Sequence, residues 1–326
     1  MVAEQSAQPR DDLILEAKGL TKYYGNFPAI EDVSFDVRRG EVLGFLGPNG
    51  AGKTTVMRIL TGSMPPSSGT AVIDGHDILA DSLEVRRRIG YLPENVPLYT
   101  DMTVREYLGY MGTLRGMNKE QLSKRIGEVV EICRLEDYID SHIAKLSKGF
   151  RQRTGIAQAI LHEPPLLILD EPTVGIDPIQ VVDTRKLIRS LGGERTVILS
   201  THMLHEASMV CDRVLIIHEG QIVVEDKPEN LAERLQGVER VEIEVQGPVE
   251  QVTKVLQGTT GVEKVVCQGS GNQGIYMVDC KLGQDLRSRL ARAIVGQGWG
   301  LLKLNVVSMT LEEIFLSLTV QEDANR

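Results

Sequence analysis

The sequence lacks several features that would place the chain in a specialised class of protein. No apolar run approaches the roughly 20 residues that a membrane-spanning helix needs, which argues against a transmembrane segment. Basic residues are not in excess, and the net charge of −9 argues against a broad nucleic-acid-binding surface. The segment 1–12 is polar and has no apolar stretch of the secretory type, so we expect a disordered tail there.

Cysteine is scarce, and its four positions form no C-x-x-C pair. Reduced and mostly buried thiols are therefore expected, together with a cytoplasmic location. The remaining composition, 42% hydrophobic and 25% charged, is that of a globular protein, and 326 residues suffice for more than one domain. The cysteines are Cys133, Cys211, Cys267 and Cys280.

One segment carries a nucleotide-binding pattern. Residues 47–55 fit G-x-x-x-x-G-K-[ST] and lie between an apolar run at 41–46, which predicts a buried strand, and a helical run at 56–60. Glycines let the backbone approach phosphates closely, and the helix N-terminus adds N–H donors. Lys53 would contact the β- and γ-phosphates of ATP, and Thr54 would coordinate Mg²⁺. The predicted ATP-binding loop consists of Gly47, Pro48, Asn49, Gly50, Ala51, Gly52, Lys53, Thr54 and Thr55.

Residues 13–237 alternate strand-like and helical patterns, which predicts an α/β fold. Alternation of apolar and polar residues near the start indicates an antiparallel β subdomain, and the continuous apolar runs at 166–169 and 196–200 indicate buried parallel strands. Between them, a T-x-x-E capping box at Thr103 and a second helical stripe that begins near Asn118 predict a helical insert at about 100–160. We therefore expect a P-loop core that carries an antiparallel β subdomain and a helical insert.

The C-terminal part has a different pattern. Its elements follow the order β-α-β-β-α-β, with a final short helix at 311–318, which predicts a small α+β ferredoxin-like accessory domain at 238–320. Residues 321–326 are expected to be a tail. The accessory domain could regulate the protein or support dimerisation, and the sequence leaves simple packing open as well.

Two carboxylates follow the apolar run at 166–169. Asp170 would hold the Mg²⁺ shell, and Glu171 would accept a proton from the water that attacks the γ-phosphate, or orient that water. An acidic pair at a helix N-terminus before Pro172 is the alternative. The position of the pair after the phosphate loop favours the catalytic interpretation.

A short segment before this strand resembles the LSGGQ signature of ATP-binding cassette (ABC) ATPases. It reads L-S-K-G-F-R-Q at 146–152, so Lys148, Phe150 and Arg151 depart from the pattern, whereas the serine and one glycine are kept. The serine also fits an ordinary helix N-cap. The resemblance implies that the signature acts in trans, on ATP bound by the other protomer. The residues concerned are Ser147, Lys148, Gly149 and Gln152.

The resemblance extends over residues 13–229 in family order. It implies that Tyr24 stacks on adenine, although a buried core tyrosine is the alternative. Glu94 stands where the family's Q-loop has glutamine, and its carboxylate is a candidate Mg²⁺ ligand. Asp177 matches the D-loop, which crosses the dimer interface. His202 matches the switch histidine, whose imidazole donates to the γ-phosphate and positions water.

The family's mechanism implies two kinds of partner. Two copies of the chain, or the chain and a homologous ATPase subunit, would clamp two MgATP head to tail, and hydrolysis at Glu171 would release them. Integral membrane permease subunits would dock near residues 94–108, placing the protein on the inner face of the cell membrane. No nucleic acid is expected as a partner.

Two further motifs indicate a subfamily. The ending T-L-E-E-I-F at 310–315 and the G-Y-L-P-E-N form of the Q-loop at 90–95 resemble ATPases of ABC-2 type exporters, including those associated with gliding motility. A soluble ABC ATPase that acts on ribosomes or DNA is the competing interpretation. The acidic charge and the single cassette disfavour it.

Overall fold

The computed structural model describes residues 12–228, 230–231, 238–281 and 286–306. The chain divides into two compact units after Pro228, whereas the sequence analysis placed the boundary at 237. Each unit has its own hydrophobic core. Of the tail predicted at 1–12, residues 1–11 lie outside the described residues, whereas the Asp12 carbonyl accepts a hydrogen bond from the Arg39 N–H at 2.9 Å. The tail at 321–326, the helix at 311–318 and the motif at 310–315 also lie outside the described residues.

The first unit begins with the predicted antiparallel sheet. Its strand order is β2-β1-β4-β5, and β1 pairs with both β2 and β4. Alternate side chains of β1 and β2 enter the core, because successive residues of a strand point to opposite faces. The strands are β1 Leu13–Tyr24, β2 Phe27–Arg38, β4 Ser68–Ile73 and β5 His76–Asp77.

A second, six-stranded sheet forms the centre of this unit. Its order is β10-β9-β3-β8-β7-β6, and every adjacent pair is parallel except β10 with β9. The strands β3, β7 and β8 are buried along their whole length, which explains their continuous apolar sequences. The strands are β3 Val42–Leu46, β6 Ile89–Leu92, β7 Leu166–Asp170, β8 Thr196–Thr201, β9 Arg213–His218 and β10 Gln221–Asp226.

Helices surround this sheet, and three of them form the predicted helical insert. The capping box at Thr103 and Glu106 is present at the start of α3, and Asn118 caps α4, so both predicted helix starts are confirmed. The helices are α1 Lys53–Leu60, α2 Ser82–Arg88, α3 Val104–Leu114, α4 Lys119–Cys133, α5 Lys148–Ile160, α6 Pro178–Leu191 and α7 Leu204–Val210.

The second unit has the β-α-β-β-α-β order expected from the sequence. Its four antiparallel strands pair in the order β12-β13-β11-β14, the arrangement of a ferredoxin-like sheet. The core contains apolar residues of the strands and of both helices. The elements are β11 Val238–Gln246, α8 Val249–Gln257, β12 Val262–Ser270, β13 Gln273–Lys281, α9 Arg287–Val295 and β14 Gly300–Val306.

Two expectations from composition can be compared with these units. None of the four cysteines, all of which the structure describes, is in a disulfide; Cys267 is partly exposed and the other three are buried, which confirms that the thiols are mostly buried. Within the described residues, no helix combines the length and apolar character that crossing a bilayer would require.

Candidate functional site

The phosphate-binding loop joins β3 to α1, the strand–loop–helix context that its motif requires. A side chain at Gly47 would place its Cβ 2.3 Å from the carbonyl oxygen of Ile217. Gly52 has a φ of +107° and caps α1, a conformation that L-residues with side chains rarely adopt. These two positions therefore need glycine for backbone reasons that are independent of any ligand.

Lys53 is the buried cation of the loop. Its Nζ donates hydrogen bonds to the carbonyl oxygens of Gly47 at 2.6 Å and Pro48 at 3.1 Å, and it lies 3.4 Å from Oε1 of Glu171. Because an ammonium group is stabilised by nearby anions, this position is suited to the β- and γ-phosphates of a nucleotide.

Asp170 and Glu171 lie at the carboxyl end of β7, and both are buried. Asp170 accepts hydrogen bonds through Oδ1 from Thr54 at 3.3 Å and from the Ser200 hydroxyl at 2.5 Å. The backbone N–H of Glu171 donates to Ser200 Oγ at 2.9 Å, so one serine connects to both acidic residues. Glu171 has a φ of 48°, an uncommon and strained conformation for this residue type.

His202 follows the neighbouring strand β8 and completes the cluster. Its Nδ1 lies 3.0 Å from Oε2 of Glu171, and 42% of its side chain is exposed. The imidazole thus contacts the carboxylate with one nitrogen and leaves part of the ring accessible to a substrate. The structure brings Lys53, Thr54 and both acidic residues together with this histidine, as the sequence analysis expected.

The residues present fit a magnesium ion. Asp170 Oδ2 is buried and has no hydrogen-bond partner among the described residues, and the Thr54 hydroxyl is adjacent to the same carboxylate. Mg²⁺ prefers oxygen ligands and usually takes only one or two from the protein, the others being waters and phosphate oxygens. No group of three or more His, Cys, Asp or Glu suited to a metal occurs in the described residues, so an all-protein cage is not what this site offers.

The signature segment begins α5. Ser147 accepts a hydrogen bond from the Phe150 N–H at 3.4 Å and is the N-cap, and Gln152 is buried one turn further on. No hydrogen bond or ion pair in the described part of the chain joins this segment to Lys53 or Glu171. Among the described residues, the signature thus makes no polar contact with Lys53 or Glu171 of its own protomer.

Gly149 has a specific neighbour in its own chain. A Cβ at this position would lie 1.4 Å from Oε1 of Gln180, so a larger residue requires the flexible end of that side chain to move. The adjacent Lys148 extends toward the D-loop, where its Nζ lies 2.2 Å from the position of a Cβ on Gly175. Signature and D-loop are thus packed against each other within one protomer.

Two departures from the signature pattern have structural explanations. Phe150 packs on Tyr138 with ring centroids 4.0 Å apart, and the Arg153 guanidinium lies 5.6 Å from the centroid of the Phe150 ring. Arg151 donates to the backbone carbonyls of Ile143 at 3.2 Å and Ala144 at 2.7 Å. Both side chains thus stabilise the packing of the helical insert.

Three further predicted residues lie outside the cluster. Tyr24 is 48% exposed at the end of β1, so the alternative of a buried core tyrosine is wrong. Glu94 is exposed in the loop after β6, and within the described residues it has no hydrogen bond or ion pair to Asp170. Asp177 caps α6 by accepting from the Gln180 N–H at 3.0 Å, a local role that motif matching did not anticipate.

Sequence reasoning missed two residues of the site. Ser200 is fully buried in β8 opposite Asp170, and its only signal was a hydroxyl within an apolar strand. Tyr91, at the end of β6, is the other. Burial and the nearby Asp170 charge raise the pKa of the Tyr91 hydroxyl to about 12, so it stays neutral beside the site.

Fold and site together define a P-loop nucleoside triphosphatase. The family model described as ABC transporter matches residues 30–174. The bacitracin transport ATP-binding protein BcrA of Bacillus licheniformis is 36% identical over 94% of this chain and 97% of its own length. The Nod factor export ATP-binding protein I of Sinorhizobium fredii is 32% identical over 97% of this chain and 89% of its own.

Solved structures agree with these sequence relatives. The structure of cbiO1 from Clostridium perfringens, part of the ABC transporter complex cbiONQ, has a TM-score of 0.63 and 29% identity over 69% of this chain and 92% of that one. The dimeric cassette MJ0796 bound to ADP and Pi has a TM-score of 0.60 and 27% identity, and the match covers 66% of this chain and 98% of that one. The chain belongs to the ATP-binding subunits of ABC transporters, and it hydrolyses ATP.

Proposed function

We propose that Glu171 activates the attacking water during ATP hydrolysis and that His202 orients Glu171 and the γ-phosphate. The contact of 3.0 Å between His202 Nδ1 and Glu171 Oε2, next to the buried Lys53, is the observation that supports this assignment most strongly. A general base must lie within hydrogen-bond reach of the proton it accepts, and its position must be held by a neighbour. The strained φ of Glu171 is consistent with such a role.

The same proposal assigns the remaining cis residues. Tyr24 offers an exposed ring to adenine, the loop 47–55 surrounds the phosphates, and Lys53 neutralises their charge. Thr54 and Asp170 hold magnesium, which when bound neutralises charge on the phosphate oxygens. Glu94, which Asp170 does not contact among the described residues, stays a predicted further ligand.

We further propose that a second copy, or a homologous subunit, completes each ATP site. Ser147 and Gly149 would then present the start of α5 to the γ-phosphate held by the other protomer, with Lys148 and Gln152 beside it and Asp177 at the interface. The absence of a hydrogen bond or ion pair from this segment to Lys53 or Glu171 of its own protomer, among the described residues, is compatible with the trans arrangement. The dimeric state of the relative MJ0796 supports it too.

The transport partner in this proposal is an integral membrane permease, which the chain drives in the direction of export from the cytoplasmic face. Relatives whose names specify bacitracin transport, linearmycin resistance and Nod factor export support export. The placement in the ABC-2 group rests on the motifs at 310–315 and 90–95, and the narrower link to gliding motility rests on the sequence alone. We keep 13–237 as the extent of the ATPase domain and 238–320 as that of the accessory domain.

The variant Glu171→Gln tests the assignment. An amide cannot accept the proton of the attacking water, so the ATPase rate should fall about 100-fold or more while ATP binding is kept. With MgATP, the variant should accumulate as a stable dimer in size-exclusion chromatography with light scattering, because hydrolysis no longer releases the two protomers.

Glu219→Gln is the matched control. Glu219 is also a glutamate with positive φ, at 46°, but its side chain is exposed in the turn between β9 and β10, and within the described residues it forms no hydrogen bond or ion pair with Lys53, Asp170 or Glu171. Its ATPase rate and monomer–dimer balance should equal those of the unmodified chain. Full hydrolysis by Glu171→Gln would refute the catalytic role, and rapid hydrolysis by a chain that stays monomeric with ATP would refute the trans site.

A further inference from the structure

A cleft of about 530 Å³ lies in the helical region, away from the phosphate loop. The end of α2, the end of α3, one face of α4 and the turn after α5 form its walls. Four cationic side chains and two carboxylates line it, a formal excess of two positive charges in a chain whose net charge is −9. The charged lining residues are Arg87, Arg115, Lys124, Arg125, Glu128 and Glu163.

Two of the four cations are already neutralised by the protein. Arg87 forms an ion pair with Glu84 at 2.5 Å on the same helix. Arg125 is buried, and it pairs with Glu128 and donates to the backbone carbonyl of Ile160 at 3.1 Å. These side chains serve the fold, and their charge is not available to a ligand.

Arg115 and Lys124 supply the remaining positive charge, which the exposed carboxylate of Glu163, 3.7 Å from Arg125, reduces to a formal excess of one. Arg115 donates to the carbonyl oxygen of Arg86 at 2.7 Å and has no carboxylate partner in the part of the chain that the structure describes. Lys124 Nζ lies 3.8 Å from Glu128, which Arg125 already engages, and the Lys124 side chain is 83% exposed. A guanidinium and an ammonium therefore face the same cleft with donors to spare.

His162 adds a polar atom without a partner. Its Nε2 lies 3.1 Å from the carbonyl oxygen of Ile89; because that oxygen only accepts, Nε2 carries the proton and Nδ1 of the neutral ring is an acceptor. Nδ1 is buried and unpaired among the described residues. Burial and the adjacent Arg115 lower the pKa of His162 to about 4, so the ring is neutral at physiological pH. Because Nδ1 accepts rather than donates and is itself buried, it makes no direct contact with a phosphate oxygen.

We propose that this cleft binds a phosphate-bearing anion through Arg115 and Lys124, with the Gln121 amide as a polar contact. The arginine fork matches phosphate geometry, and the volume is in the range of small-ligand sites. The cleft shares no residue with the ATP-binding loop, so it is a second anion site. Its ligand is either a soluble phosphate compound or the headgroup of an anionic lipid.

Titration calorimetry with pyrophosphate tests the site directly. The full-length chain carries Lys53→Ala, which removes the phosphate-loop cation, and no magnesium is added. Saturable binding should weaken about tenfold on Arg115→Gln, the scale expected for losing a charge-assisted contact. Lys124→Gln should weaken it in the same direction, and its exposed position leaves the fold intact, as a thermal melt would verify.

Lys119→Gln is the control, since it removes the same charge from the start of the same helix but lies outside the cleft. The affinity of this variant for pyrophosphate should stay within about twofold of that of the parent chain, because an exposed charge outside the cleft is largely screened by salt. Absence of saturable binding, or equal binding by the variants Arg115→Gln, Lys124→Gln and Lys119→Gln, would overturn the proposal.

Vesicle flotation distinguishes the two sources of phosphate. If phosphatidylglycerol vesicles retain the protein, phosphatidylcholine vesicles do not, and Arg115→Gln abolishes retention, the ligand is a lipid headgroup. Pyrophosphate binding without retention by phosphatidylglycerol identifies a soluble phosphate compound. Absence of saturable pyrophosphate binding overturns the site whatever the vesicles retain, whereas ATP hydrolysis is measured separately and tests only the catalytic cluster.

Discussion

Ser200→Ala is the substitution for which the structure makes the sharpest prediction. The Ser200 hydroxyl donates to Asp170 Oδ1 at 2.5 Å and accepts from the Glu171 N–H at 2.9 Å, and both Ser200 and Asp170 are fully buried. Alanine deletes both contacts without adding volume. A carboxylate oxygen and a backbone N–H then lose a partner at the point where β7 ends.

The magnitude follows from those two groups. A buried polar group without its partner costs about 1–3 kcal/mol, so the variant should lose about 2–5 kcal/mol of unfolding free energy. For a unit of roughly 150–250 residues, each kcal/mol shifts the melting temperature by about 2–4 °C, which predicts a fall of about 5–15 °C. Because Ser200 also anchors the backbone of Glu171, kcat should fall by about 10- to 100-fold through misplacement of the carboxylate.

Thermal unfolding and steady-state ATPase assays measure the two effects. Ser190→Ala is the matched control, because its hydroxyl makes one local bond, to the Leu187 carbonyl at 2.7 Å within α6. The control should change both quantities little, by about 1 kcal/mol or less in stability. If Ser200→Ala melts and turns over like the unmodified chain, the serine bridge does not hold the carboxylates in place.

Three other perturbations have defined outcomes. Gly149→Ala should change the free energy of urea unfolding by less than about 1 kcal/mol, because the flexible end of Gln180 can rotate away from the new Cβ and alanine favours the helix; a loss above about 2 kcal/mol that Gln180→Ala recovers would contradict this. Because the pKa of His162 is lowered to about 4 in the folded chain, the unfolded chain binds more protons than the folded chain below about pH 6.5. The free energy of unfolding therefore falls as the pH falls. In His162→Gln, the free energy of unfolding should fall by about 2–3 kcal/mol less between pH 7 and pH 4 than in the unmodified chain. An unchanged dependence of stability on pH would contradict the low pKa of His162. Burial raises the pKa of Cys133 to about 12, so a thiol reagent should label Cys267 first and the buried thiols only on unfolding; equal labelling rates would refute this.

The phosphate loop was predictable because its chemistry is local. Consecutive backbone N–H groups, glycines and one lysine make the site, so residues 47–55 and the flanking strand and helix could be identified from a single stretch of sequence. The helix caps at Thr103 and Asn118 were predictable for the same reason, since a cap involves residues three apart. The order of strands and helices in the second unit followed from periodicity alone.

Contacts between segments that are distant in the chain could not be predicted from the sequence. The Ser200–Asp170 bond requires β8 to lie beside β7 in a register that pairs these two residues, which no local pattern specifies. The exposure of Tyr24 depends in the same way on what packs against β1.

Gly149 illustrates the boundary between the two kinds of information. The sequence alone determined that this position is glycine at the start of a capped helix, and a ligand phosphate was the only neighbour that a motif could supply. The tertiary structure decided that Gln180 of α6 fills the space above it. Likewise, four separate segments build the basic cleft around Arg115. Periodicity and caps act over a few residues, whereas these surroundings arise only when the packed core brings remote side chains together.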